Sequence, residues 1–146
     1  MNKKIILAYT AGFVDGEGSI GISKRLRKHW KPEYHIFLSV GQKDGETLDW
    51  MKDNFGGNVY LIKRDGSFMW ALSNKKAYEF IVKIEPYLQY KKPQAKLAIK
   101  FYKEQIIANV HRNRATGLSE EEINKRESML QEMKMLKKVF IKSTYC

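Results

Sequence analysis

The sequence predicts an α+β fold in which four antiparallel strands carry helices on one face, and two patterns support that reading. Twice along the chain a helix-like segment is followed by a pair of strands with period-two alternation, and a helical apolar period then dominates the remainder. An apolar content of 43%, with 12% aromatic residues, is enough for a packed core and excludes a disordered basic tail. The length of 146 residues corresponds to one domain spanning 1–146, with a core over about 5–107 and a C-terminal helical extension over about 108–146.

Residues 3–14 read as a short helix, with Ile6, Tyr9, Thr10 and Phe13 at helical spacing and small Ala8, Ala11 and Gly12 between them. Asp15-Gly16-Glu17-Gly18 is expected to stop it, because two glycines so close together disfavour helix. Residues 19–27 alternate, with Ile20 and Ile22 on the core side and Ser19, Gly21, Ser23, Arg25 and Arg27 opposite. A basic turn containing Pro32 then leads to residues 33–42, whose apolar set is Ile36, Leu38 and Val40 and whose opposite set is Glu33, His35, Phe37 and Ser39. A helix over 44–55, closed by Gly56-Gly57, precedes a second hairpin over 58–63 and 67–73 across the turn Arg64-Asp65-Gly66. Tyr60, Ile62, Phe68, Trp70 and Leu72 are its expected core, leaving Lys63, Ser67 and Met69 on the other side. Asn74 is expected to cap a helix over 75–84 that Pro86 limits. A helix over 94–107 follows, then a polar connector over 108–118. Ser119 with Glu122 forms a capping-box pattern for a last helix to about Phe140, striped by Ile123, Arg126, Met129, Leu130, Met133 and Leu136. The two helix–hairpin units suggest a structural pseudo-repeat, although their sequences share little.

Lys plus Arg number 27 against 16 Asp plus Glu, a formal charge of +11, which makes nucleic acid the first candidate partner. Lys24, Arg25, Arg27, Lys28, His29 and Lys31 cluster at the first hairpin, whereas Lys134, Lys137, Lys138 and Lys142 are expected on a solvated helix face. No apolar run approaches the roughly 18–20 residues of a membrane span. The apolar run after Met1 is ended by Asp15 and Glu17 without a small-residue cleavage site, and Cys146 is the lone cysteine, excluding a disulfide framework. These features predict a protein of a reducing, intracellular compartment with no membrane and no small-molecule substrate.

The segment Thr10-Ala11-Gly12-Phe13-Val14-Asp15-Gly16-Glu17-Gly18, continued by Ser19-Ile20, resembles the signature of the LAGLIDADG homing endonucleases. Thr10 replaces the leading leucine and Glu17 the second aspartate. Local strings extend the resemblance, with Val40-Gly41-Gln42-Lys43 after the second strand and Pro86-Tyr87-Leu88-Gln89-Tyr90-Lys91-Lys92-Pro93-Gln94-Ala95 before a helix. The resemblance is strongest to the single-motif members that act as homodimers. It implies an αββαββα fold with a saddle-shaped four-stranded sheet, and localisation to the organelle or prokaryotic compartment that holds the gene.

Ala11 and Gly12 offer little bulk, so two motif helices could approach closely. With one motif in the chain, the second helix comes from a second copy, and a twofold axis brings two Glu17 carboxylates together. Two carboxylates, the Gly16 carbonyl, phosphate oxygens and water suit Mg²⁺, with Mn²⁺ or Ca²⁺ as alternatives. The resemblance assigns catalysis to Glu17, Gln42 and Lys91, with Lys92 the rival to Lys91 if the register slips, and leaves Asp15 a structural acceptor of backbone N–H groups. The arginine that the family carries beyond Gln42 falls near Glu46 here, so that supporting role is absent or filled elsewhere. Base and phosphate contacts fall on Ser19, Gly21, Ser23, Arg25, Arg27, Glu33, His35, Phe37, Ser39, Lys63, Ser67 and Met69. The implied function is a site-specific, Mg²⁺-dependent double-strand DNA endonuclease that cuts a long, roughly palindromic site and leaves 3′ overhangs. A catalytically inactive binding module or intron-splicing maturase of the same fold is the alternative, and a plain basic interaction domain the third.

Overall fold

The computed structural model describes residues 1–112 and 115–145, with side chains as far as Lys138. The elements are α1 (Lys3–Glu17), β1 (Gly18–Arg27), β2 (Trp30–Gln42), α2 (Gly45–Phe55), β3 (Asn58–Ile62), β4 (Ser67–Ser73), α3 (Asn74–Ile84), a 3₁₀ turn (Glu85–Tyr87), α4 (Lys92–His111) and α5 (Glu120–Tyr145). The αββαββα order is present, and the strands form one antiparallel sheet in the order β1-β2-β4-β3. Among the described residues no helix is long and apolar enough to cross a membrane.

Asn2 starts α1 by accepting a hydrogen bond from the Lys4 N–H, at 2.9 Å. The helix does not stop at Asp15-Gly16 but continues to Glu17, and Gly18 both caps it, donating to the Val14 carbonyl, and opens β1. The roughly 1 kcal/mol that a helical glycine costs is outweighed because Val14 and Ala11 are wholly buried and Asp15 is anchored from outside the helix. The core side of α1 is Thr10, Ala11 and Val14, not Tyr9. Tyr9 and Ile5 are exposed, and with Gly12 and Gly16, which are also exposed, they follow helical spacing down the outer surface.

In the first hairpin the connection is Lys28-His29, with His29 at φ 68°, and Pro32 lies inside β2 rather than in the turn. The register shifts between Arg25 and Arg27, and such an irregularity tolerates a residue without an N–H. In the second hairpin the register reverses the expected sides of β3. Val59 and Leu61 pair with Trp70 and Phe68, whereas Tyr60 and Ile62 pair with Met69 and Ser67. A one-residue difference exchanges the two faces of a strand, so Tyr60, half exposed, leaves the core set. Lys63 falls outside β3, in the turn that Asp65 closes by accepting from the Ser67 N–H and hydroxyl.

Apolar side chains fill the space between the sheet and α1, α2, α3 and α4. Trp70 is fully buried, meets Phe80 edge-on at 5.3 Å, and donates its indole N–H to the Gly56 carbonyl at 2.8 Å. Gly57, at φ 88°, admits no side chain, since a Cβ would stand 2.6 Å from Leu72 Cδ2. Asn74 does not cap α3. It is the first helical residue, and its Oδ1 lies 3.0 Å from His35 Nδ1. Helix α4 runs four residues past the expected Ile107, shortening the connector.

Helix α5 begins as expected, with Ser119 Oγ accepting from the Glu122 N–H. Met129, Leu130 and Met133 are buried, each contributing about 1.5–3 kcal/mol of apolar transfer. Arg126, also buried, is held by Glu122 at 3.0 Å and Asn109 at 3.3 Å. Phe140 lies outside the residues whose side chains are described. A polar clamp fixes α5 to the first hairpin: the Tyr34 hydroxyl donates to Glu127 at 2.6 Å and the Lys24 ammonium at 2.9 Å, while Gln131 donates at 3.0 Å. These donors, Tyr34 foremost, hold the Glu127 carboxyl down to about 2. A carboxyl depressed in the folded state stabilises the fold above its unfolded value, and that stabilisation is lost as pH falls through the folded one. Melting temperatures measured from pH 7 to pH 2 are therefore expected to fall more steeply below pH 4.5 for the native chain than for Glu127→Gln. Equal slopes would show that the clamp carries no acid-linked stability.

Candidate active site and nucleic-acid interface

Strand pairing decides which side chains share the face turned away from the helices. Ser19 pairs with Ser39, Gly21 with Phe37, Ser23 with His35 and Arg25 with Glu33. Phe37, Ser39 and Gly41 pair in turn with Ser73, Ala71 and Met69. Because directly opposed residues point the same way, ten of the twelve expected contact residues lie on one open face: Ser19, Gly21, Ser23, Arg25, Glu33, His35, Phe37, Ser39, Ser67 and Met69. Arg27 lies beyond the register shift, but its guanidinium returns to Glu33 at 3.2 Å. Lys63 is not on the face, since it belongs to the turn. Asn58, Tyr60 and Ile62 of β3 join the face, because the register of β3 cannot be read from its own alternation, and Ala71 joins it in line with Ser67 and Met69 of β4.

Polar contacts across the face fix several of these side chains. Glu33 lies between Arg27 and His35 Nε2, the latter at 3.7 Å, and His35 Nδ1 meets Asn74. Gly21 is buried rather than open: a Cβ there would stand 2.7 Å from both the Phe37 ring and Lys137 Nζ.

The candidate catalytic residues gather where α1 ends. Pairing of Gly18 with Val40 carries Glu17 to the same end of β2 as Gln42, which pairs with Phe68 and is half-buried. Lys91 comes from the distant loop before α4, and Asp15 holds that loop. Its carboxylate accepts from the Gln89 N–H at 2.7 Å and the Lys91 N–H at 2.9 Å, while the Lys91 ammonium donates back to the Asp15 carbonyl. The structural role expected of Asp15 is therefore observed, with donors far away in sequence. These bonds hold Lys91, whereas Lys92 is the first residue of α4. Burial lowers the Lys91 pKa, and the nearby Asp15 and Glu17 carboxylates act against that.

Glu17 and Gly16 are exposed at the helix tip, and a Cβ at Gly16 would meet nothing within 4 Å. Glu17 takes part in none of the ion pairs among the described residues. Nor do those residues contain a group of three or more His, Cys, Asp or Glu able to hold a metal. One chain thus offers a single free carboxylate and a carbonyl, a donor set of hard oxygens that fits Mg²⁺ only when further oxygens arrive from outside.

The arrangement is thus a motif helix whose exposed carboxylate tip lies near a lysine at one end of an open four-stranded face. Comparison with known proteins assigns that arrangement to a family. The sequence profile described as LAGLIDADG endonuclease matches residues 10–105. The DNA endonuclease I-CreI of Chlamydomonas reinhardtii is 32% identical over 103 residues, covering 68% of this chain and 63% of that protein. The intron-encoded RNA maturase bI4 of Saccharomyces cerevisiae is 29% identical over 72 residues, covering 49% of this chain and 11% of that protein. The chain thus spans less than two thirds of either curated relative. In fold, the homing endonuclease I-CvuI, in complex with the I-CreI target in 2 mM Mg with the DNA not cleaved, superposes with a TM-score of 0.76 at 22% identity, covering 91% of this chain and 82% of that one. The homing endonuclease I-TnaI superposes with a TM-score of 0.71 at 20% identity, covering 94% and 96%. The chain belongs to the LAGLIDADG endonuclease family.

The Asp15 clamp has a measurable consequence. Asp15→Ala leaves two loop amides without their charged acceptor, an expected loss of about 1.5–3 kcal/mol per charged hydrogen bond. Hydrogen exchange at the Gln89 and Lys91 amides should accelerate while that of the Trp70 region is unchanged. Unaltered exchange at residues 89 and 91 would show that the loop is held by other means.

Proposed function

We propose that the chain is a site-specific, Mg²⁺-dependent double-strand DNA homing endonuclease that works as a homodimer, cuts a long, roughly palindromic site and leaves 3′ overhangs. The observation that carries this reading is the convergence of Glu17 and Lys91 at one end of the polar sheet face, with Asp15 fixing the lysine from the motif helix itself. The exposed stripe of Ile5, Tyr9, Gly12 and Gly16 is the surface for the second copy, its glycines allowing close helix contact. Ala11, buried in its own chain, takes no part in that contact.

In this reading Glu17 and the Gly16 carbonyl of each copy would hold the cation. When bound, such a cation supplies Lewis-acid stabilisation of the charge that builds on a phosphodiester under attack. Lys91, held in place by Asp15, presents its ammonium to the phosphate, and Gln42 orders water at the strand end. The sheet face supplies register and sequence discrimination: Arg25 suits guanine O6 and N7, whereas serines and lysines steady the backbone. Ser19, Ser23, Arg27, Glu33, His35, Phe37, Ser39, Ser67 and Met69 complete the surface, from which Gly21 is withdrawn beneath Phe37 and Lys137. The similarity to an RNA maturase supports a second reading, an RNA-binding module of the same fold without cleavage.

One assay separates the two. A plasmid bearing the DNA that flanks the gene is incubated with the native protein in Mg²⁺ or EDTA, and linearisation is expected only with the metal. Glu17→Gln should lower the cleavage rate by at least about 100-fold, the scale of losing one electrostatic stabiliser of the transition state, with binding retained. Retention of the plasmid without cutting in Mg²⁺ would favour the binding module. A second experiment profiles cleavage over a randomised site: Arg25→Ala should relax preference at one symmetric pair of base positions, and an unchanged profile would remove Arg25 from base readout.

A further inference from the structure

The lysines of α5 are not all solvated. Lys137 is half-buried, and its ammonium has crossed the edge of β1 to the open face of the sheet, where it donates to Ser19 Oγ at 3.1 Å and lies 5.2 Å above the Phe37 ring. The missing side chain at Gly21 makes the space for it. Lys137 lines a cleft of about 250 Å³ together with Gly18, Ser19, Tyr90, Lys91 and Gln94, at the same end of the sheet as Glu17. Burial and repulsion from Lys91 both lower its pKa, and no ion pair to it forms among the described residues. Gln94 in the same cleft is 4% exposed, and its Oε1 has no hydrogen-bond partner.

Two cations line this cleft, partly out of water, and repel one another. Lys91 has the Asp15 and Glu17 carboxylates nearby, whereas no ion pair among the described residues neutralises Lys137, so an anion entering the cleft is favoured. The hydroxyl of Ser19 and the face of Phe37 orient the charge but do not neutralise it. An unpartnered amide oxygen on the cleft wall is a site for an ordered water alongside such an anion. On the nuclease reading above, we propose that Lys137 is a second phosphate-contacting cation of the cleavage cleft, supplied by α5 and working beside Lys91. A lysine suits this task as a point charge reaching a phosphate oxygen. The assignment gives the C-terminal extension a direct part in handling nucleic acid.

The test measures binding to a duplex that the native protein selects from a randomised pool, over a series of salt concentrations with Ca²⁺ in place of Mg²⁺. Each phosphate contact contributes about 0.9 to the slope of log affinity against log salt. Lys137→Met and Lys137→Gln should each reduce that slope by about 0.9 per copy, Lys137→Arg should restore it, and Lys138→Gln, an exposed neighbour, should leave it unchanged. An unchanged slope with a lowered melting temperature would make Lys137 a strut for α5 and overturn the assignment, as would an unchanged slope alone. Loss of slope by these variants in a protein that binds but never cuts in Mg²⁺ would uphold the phosphate contact and overturn the nuclease reading. Absence of duplex binding by the native chain would overturn both.

Discussion

The end of α1 is an electrostatic problem that the rest of the site is built around. A helix C-terminus carries partial negative charge, and acidic side chains there are disfavoured by about 0.3–1 kcal/mol each. This helix nevertheless ends with Asp15 and Glu17 and has no basic residue in its last turn. The compensation arrives from 74 and 76 residues away, where two backbone N–H groups meet the Asp15 carboxylate and the Lys91 ammonium meets the Asp15 carbonyl. Asp15 is thereby satisfied within the chain and Glu17 is not. The asymmetry divides their roles: one carboxylate holds the loop before α4, and the other stays available at the exposed tip. Because the same loop leads directly into α4, the position of Lys91 is coupled to the burial of Ala95, Leu97 and Ala98 behind it.

How much of this was legible in the sequence depends on whether local pattern or distant contact decides each element. Strands β1, β2 and β4 alternate strongly, and their buried positions Ile20, Ile22, Ile36, Leu38, Val40, Trp70 and Leu72 follow that alternation. The start of α5 announces itself through Ser119, whose side chain caps it, whereas Asp44, expected as the first residue of α2, is its cap. Strand β3 is a short edge strand in which no residue is fully buried, so its alternation does not reveal which side faces the core. Only pairing with β4 settles that Tyr60 faces outward. Propensity alone puts Pro32 in the turn, whereas the irregularity that accommodates it is a property of two strands.

The candidate site residues divide in the same way. The motif placed Gly16 and Glu17 at the end of α1 and pointed to Lys91, because their spacing from recognisable strings is local. It had no access to Lys137, whose environment is created by residues 118 positions earlier. On α5 alone Lys137 belongs to a run with Lys134 and Lys138, both exposed, and nothing in that run distinguishes it. The distinguishing feature is Gly21, which reads in the strand as one more small outward residue and in three dimensions is the gap that the lysine fills.

The two halves of the pseudo-repeat then differ for a physical reason. The second hairpin is short, and its strands of 5 and 7 residues stay close to the helices behind them. The first has strands of 10 and 13 residues, and from Ser23 onward every residue of β1 is exposed, with Tyr34 the one buried residue on the facing stretch of β2. An arm of that kind gains little from hydrophobic burial and would be loose without polar support. Its supports are the Arg27–Glu33 pair, the Lys24–Glu127–Tyr34 clamp, and the Lys31 ammonium donating to the Leu118 carbonyl of the connector. Two of the three partners belong to the C-terminal third of the chain, so α5 and the segment before it brace the arm that carries most of the clustered positive charge. A braced arm loses less conformational freedom on meeting a polyanion than a free one. The same extension that steadies the arm at one end of β1 delivers Lys137 to the other end, and both effects follow from packing one helix along a single edge strand.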